Sequence, residues 1–305
     1  MKKRTFSGIN QLPKGDASDK ITPGCIVLEG GAFRGIYGEG VLDAFMKHDI
    51  NMQCTIGVSA GALNGLNYVA GHIGRAARIN LGYRFDKRYV GLKALKQNHG
   101  LIGFNFLFDD TKDFYPFNEE RFFQPEREFI AVVTDCNTGK PLYFRKDNCS
   151  DIYKAIQASA SMPYVSKMVD VDGIPCLDGG CSDKIPYNWA IQRGFEKIIV
   201  VRTQTRSYRK KEDKTKSERM MKRMYRKYPE FESRLEKMDM DYNRQCDEIE
   251  ELEKQGRILV IAPSKDLKVG RIEKDLEKLG RQYHLGYSDA EKRMEEIKKY
   301  LDIDS

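Results

Sequence analysis

The chain has 305 residues, 40% of them hydrophobic and 32% charged, with a formal net charge of +7. That length supports one large core or two small ones, and no apolar run is long enough to span a bilayer. Seven scattered cysteines with no Cys-x-x-Cys pair, beside four histidines, argue against a zinc centre and fit a reducing, cytoplasmic compartment.

Residues 1 to 24 read as a loose leader ending at Pro23-Gly24, and 25 to 305 as a single domain. The basic start, Met1-Lys2-Lys3-Arg4, has no apolar stretch behind it, so no signal peptide is expected. Cys25-Ile26-Val27-Leu28 is a continuous apolar run, as in a strand buried on both faces. A turn follows over Gly30 to Gly35, then a helical pattern from Ile36 to Lys47. Cys54-Thr55-Ile56 is a second strand and Ala60 to Ala70 a second helix. Strand, turn and helix twice over predict a parallel sheet covered by helices.

Residues 84 to 126 are aromatic and irregular, with Phe104, Phe106, Phe108, Tyr115, Phe117 and Phe122. They read as a covering segment, either satellite core or the apolar wall of a lipid-like site. Strands are expected at Glu128 to Asp135 and Pro141 to Arg145, joined by the turn Asn137-Thr138-Gly139-Lys140. A helix capped by Ser150 or Asp151 runs to Ala160. Asp172-Gly173 marks a hairpin leading to Asp178-Gly179-Gly180. A helix starts at Pro186, and Lys197 to Val201 is another buried strand. Residues 206 to 255 read as a charged helical insertion before a strand at Arg257 to Ala262. Two helices within 270 to 301 close the chain.

Gly57-Val58-Ser59-Ala60-Gly61 lies between strand and helix, the context of a nucleophile elbow. The sharp turn pushes the Ser59 hydroxyl out of the fold, and Gly57 and Gly61 leave room for the strand–helix crossing. Glu29-Gly30-Gly31-Ala32-Phe33-Arg34-Gly35 also joins a strand to a helix. As a dinucleotide loop it fits poorly, because Ala32 stands at a glycine place of that pattern. As an oxyanion hole it offers converging amides, with Arg34 adding charge. A serine nucleophile needs a base. None of His48, His72, His99 and His284 sits at a strand end beside small residues, so Asp178 becomes the candidate partner. A carboxylate in that role must be close and partly desolvated.

The three motifs in this order resemble those of the patatin-like phospholipases, over roughly residues 25 to 202. Ser159-Ala160-Ser161-Met162-Pro163 is similar to the family segment that precedes the Asp motif. The resemblance implies a three-layer α/β sandwich with a mostly parallel central sheet. It implies hydrolysis of phospholipids or other acyl esters by a Ser59–Asp178 dyad. Gly30, Gly31, Ala32, Arg34 and Gly35 would form the oxyanion hole, Gly57 and Gly61 the elbow, and Gly179 and Gly180 the Asp motif. No metal or organic cofactor is implied. Ala32 departs from the family's usual glycine; an alanine forced to φ > 0 there would cost about 1 kcal/mol.

The positive charge is concentrated. Arg206 to Lys227 holds eleven Lys or Arg and three Asp or Glu. Met220, Met221, Met224, Tyr225 and Tyr228 form an apolar stripe at helical spacing, so this segment either packs on the sheet or lies on an anionic membrane surface. Nucleic acid is not an expected partner, because no recognisable nucleic-acid module is present. Two alternatives stay open: an esterase triad completed by His284 or His99, and a non-catalytic binding protein on the same fold.

Overall fold

The computed structural model of the chain describes residues 5–90, 103, 106–211 and 223–303. Among the described residues ten strands occur in chain order: β1 (Gly15–Asp16), β2 (Thr22–Leu28), β3 (Met52–Val58), β4 (His72–Ile73), β5 (Glu128–Asp135), β6 (Pro141–Arg145), β7 (Val169–Val171), β8 (Ile174–Asp178), β9 (Ile198–Val201) and β10 (Leu259–Ile261). The central sheet runs β10-β9-β2-β3-β5-β8-β7, with β6 also paired to β5. β10, β9, β2, β3 and β5 are parallel. β6, β7 and β8 bring the antiparallel pairs. The expected three-layer, mostly parallel α/β architecture is what the chain adopts.

Strand β2 shows why its apolar run is continuous. Ile26 and Leu28 enter one core with Tyr37, Val41 and Phe45 of the helix Ile36–Lys47 (α1). Cys25 and Val27 enter a second core on the opposite face with Ile56, Tyr242 and Cys246. Alternating side chains of one strand thus feed two helical layers.

Residues 5–24 of the expected loose leader are anchored to the domain. Phe6 and Leu12 are buried against Ile36, Leu279 and Tyr283. The Phe6 ring occupies the space where a side chain at Gly280 would stand, 2.2 Å from the position of that absent Cβ. β1 pairs with β4, and the buried Arg121 donates to Ser18 O and Asp19 Oδ1. A single aromatic ring in a glycine notch, with a buried guanidinium, fixes a segment whose composition looks like linker. β2 also begins at Thr22, ahead of the expected boundary.

The charged segment differs from its expected form as well. Residues 206–211 are irregular and residues 212–222, with Met220 and Met221, lie outside the described residues. The helix proper is Pro229–Lys254, opened by its own proline. It is the crossover between parallel strands β9 and β10. Tyr242, Cys246 and Ile249, spaced by four and three, pack it onto the sheet. Tyr225 is buried against Phe231, its hydroxyl accepting the Tyr164 N–H, and Tyr228 packs beside it; Met224 is exposed. Part of the predicted stripe therefore faces the protein.

Candidate active site

Ser59 is the junction between β3 and the helix Ala60–Val69 (α2), with φ 56° and ψ −121°. A non-glycine residue in that region costs about 1–3 kcal/mol and persists only where its surroundings dictate it. They do so here by close approach. A Cβ at Gly57 would stand 2.5 Å from Gly61 O, and one at Gly61 2.3 Å from Leu28 O. Strand and helix can meet this tightly only without those side chains. The Ser59 N–H donates to Ser159 Oγ at 2.8 Å, and its side chain makes no helix-capping bond.

Asp178 ends β8 and is buried. Its N–H donates to Ser161 O at 2.9 Å and its carbonyl accepts Thr134 Oγ1 at 2.8 Å. Ser159 and Ser161 thus hold Ser59 and Asp178 from one short segment. The Asp178 carboxyl accepts the Gly180 N–H at 2.8 Å, and Asp178 and Ser59 line one cavity. Burial raises its pKa above the ordinary carboxylate value; the Gly180 N–H, the neighbouring Ser59 hydroxyl and the charges of Lys184 and Arg271 pull it back. Gly179 lies where a Cβ would be 2.2 Å from Val132 O.

The 30–35 loop runs beside this pair. Gly30 lies under Val58 and Ser59, Gly31 against Thr203, and Gly35 against Ala60, with the Gly35 carbonyl accepting Asn64 Nδ2 at 2.8 Å. Ala32 has φ 49°, the strained alternative raised by the sequence. The amides of Phe33 and Arg34 donate to Arg271 O and Gly31 O, each at 3.2 Å. Arg34 is not brought into a cavity with Ser59. Its Nε lies 3.4 Å from Gly31 O, and the side chain lines a small separate recess with Thr203 and Gln282, so it braces the loop from behind.

Two cavities meet at Ser59, sharing Ala32, Met162 and Arg271. The first holds about 930 Å³, mouth included, and is walled by Phe33, Ile36, Leu63, Leu66, Ile79 and Leu107. Leu107 belongs to the aromatic covering segment, which supplies part of the wall; Phe104 lies outside the described residues. Far from solvent, Glu39 accepts Asn80 Nδ2 at 2.6 Å, and burial lifts its carboxyl to about 8. The second cavity, about 860 Å³, carries Asp178, Gly180, Tyr164, Lys184, Leu235 and Met238. Lys184 and Arg271 were not singled out in the sequence. Lys184, six positions after Asp178, offered only a charge beside the apolar Ile185; Arg271 comes from a distant loop with no local signal.

The described histidines lie elsewhere. His48 pairs with Glu291, His72 accepts the Asn118 N–H, and His284 is exposed with its ring against Phe6. None lines a cavity with Ser59. His99 lies outside the described residues.

The family model for patatin-like phospholipases matches residues 26–191, more than half of the chain. The chain belongs to the patatin-like phospholipase family. Residues 228–302 of this patatin-like chain match a further model, DUF6363, a domain of unknown function. The uncharacterized protein YjjU of Escherichia coli (strain K12) is 31% identical over 185 residues, covering 58% of this chain and 51% of that protein. The chain spans about half the length of this curated relative. Among solved structures, the crystal structure of VipD from Legionella pneumophila aligns with TM-score 0.49 at 13% identity, over 99% of this chain and 71% of that one. Among the described residues, no helix is long and apolar enough to cross a membrane.

Proposed function

We propose that the protein is a serine acyl hydrolase acting on phospholipids or related acyl esters, with Ser59 as nucleophile and Asp178 as its base. The observation that carries this reading is the strained Ser59 at the junction of two largely apolar cavities, one of which also holds the buried carboxyl of Asp178. Ser59 attacks the ester carbonyl as Asp178 takes its proton. The tetrahedral oxyanion falls to the amides of Gly31 and Ala32, since those of Phe33 and Arg34 are engaged. The N-terminus of α2 adds a favourable dipole. Asp178 returns the proton to the leaving alkoxide, then activates the water that releases the acid.

Hydrolysis of a medium-chain p-nitrophenyl ester by the wild type, Ser59→Ala and Asp178→Asn tests the dyad. Activity lost in both folded variants supports it; activity surviving Asp178→Asn removes the dyad. The contact with anionic lipid is narrower than the sequence suggested. Of the described part of the segment, Arg223, Met224, Arg226 and Lys227 are exposed and available to a surface. Stronger co-sedimentation with phosphatidylglycerol vesicles than with phosphatidylcholine vesicles is expected, and equal binding to both would remove the contact.

A further inference from the structure

The second cavity carries charge that the dyad does not need. Lys184 is half-buried in its wall, behind the turn that presents Asp178, and Arg271 is exposed at its rim. Among the described residues, neither pairs with a carboxylate. The nearest contact recorded for the Lys184 ammonium is the face of Tyr242, 5.4 Å away. Its charged neighbours are mostly of its own sign: Lys210, Arg271 and Arg34, against the carboxylates of Glu29 and Asp178. Lys210 is already bound to Asp239. Glu29 directs Oε2 to the Thr203 N–H at 2.5 Å. Burial and the neighbouring cations bring the Lys184 ammonium down to about 7. Lys184 and Arg271 outnumber Asp178, the one carboxyl that lines the cavity with them; cations in such excess repel one another, and a bound anion relieves that cost.

The layout indicates which part of a substrate the anion belongs to. With the ester carbonyl at Ser59, an acyl chain fills the apolar cavity walled by Ile36, Leu63 and Ile79. The alcohol side of the ester then lies in the second cavity. An ammonium and a guanidinium from two separate chain segments suit a group with several anionic oxygens. We propose that Lys184 and Arg271 form a subsite for a phosphate carried on the alcohol side of the ester, selecting phosphate-bearing lipids over neutral acylglycerols. The proposal rests on the Ser59–Asp178 reading for its orientation, though not for its charge. Lys184 and Arg271 also act on Asp178, so the test must separate binding from tuning of the base.

The test compares dihexanoyl phosphatidic acid with dihexanoylglycerol, which share acyl chains and differ in the phosphate. For Lys184→Met and, separately, the rim variant Arg271→Gln, kcat/KM on the phospholipid is expected to fall on the order of ten- to a hundred-fold relative to the neutral ester, mainly through KM. Equal losses on both esters, with the acid limb of the pH profile moved upward, would overturn the subsite and leave the two cations as tuners of Asp178. Calorimetric titration of Ser59→Ala with both lipids gives a second reading that needs no turnover. Preference for the phospholipid that disappears with Lys184→Met or Arg271→Gln supports the subsite even if no ester is cleaved, in which case only the dyad reading fails. Binding of inorganic phosphate with higher affinity than the phospholipid would overturn the lipid assignment in favour of a free phosphate.

Discussion

Two turns in this molecule do the same geometric job with different parts. One leaves β2 for α1 through residues 30–35; the other leaves β3 for α2 through Ser59. Their strands are neighbours in register, Leu28 opposite Gly57. Each turn holds a non-glycine residue at positive φ, 49° at Ala32 and 56° at Ser59. On the proposed mechanism the Ser59 turn presents a side chain, so the identity of that residue is chemical. In our reading the 30–35 turn presents amides, so its residue identities are steric. This accounts for an alanine at a place where glycine would be more comfortable: the side chain costs conformational energy and removes no donor. On that mechanism, strain is a requirement of chemistry at one turn and a tolerated cost at the other.

The largest expected effect breaks the chemical turn alone. Ser59→Ala should lower ester hydrolysis at least about a thousand-fold. The circular dichroism spectrum and unfolding midpoint should stay near those of the wild type; a collapse of both would show that the serine is needed for the turn itself. Next comes Gly61→Ala, which joins the two turns because its added Cβ would press on Leu28 O just before the 30–35 loop. We expect about 1–3 kcal/mol of lost stability from overpacking, read from the urea midpoint, together with loss of activity.

Asp178→Asn should show opposite signs in its two readouts. The folded-state pKa of Asp178 is raised, so the folded protein favours the protonated form, and stability falls as pH rises through that pKa. Asparagine cannot ionise. The variant should therefore melt higher than wild type at neutral pH, the gap closing in acid, while its esterase activity is lost. A lower melting temperature at neutral pH would mean that the ionised carboxylate is net stabilising. The smallest effect is at the steric turn: Ala32→Gly relieves about 1 kcal/mol of backbone strain, offset in part by the added freedom of the unfolded chain. A melting temperature raised by about 2 °C is expected, and a fall would show that the Ala32 methyl packs favourably enough to outweigh the strain.

What the sequence revealed follows from how each feature is encoded. The turns at Ser59, at residues 30–35 and after Asp178 were legible because sharp crossings demand glycine at fixed spacing, and that demand is local. The sheet was legible because doubly buried strands read as short apolar runs. The conformation of Ala32 was not, since composition leaves the sign of φ open. The anchoring of Phe6 depends on a notch at Gly280, and the cations at Lys184 and Arg271 become neighbours only in three dimensions. The charged segment misled for a related reason. Helix Pro229–Lys254 is polar on average, yet its few apolar residues share one face and suffice to cover the sheet.

The pairing of β9 with β10 has a consequence for how such proteins are assembled from parts. Two family models meet in this chain, and the gap between them, residues 192–227, suggests a place to divide it. Physically there is no seam. A fragment ending there would expose the edge of β9, and it would uncover the surface of α1 that Gly40 presses to Tyr283 O and Gly286 to Tyr37 O. The second part would keep β10 with no sheet to join. Recombination can exchange the later region only for another that brings both a strand for that edge and a helix shaped to α1. In this chain the two matched regions form one packing unit.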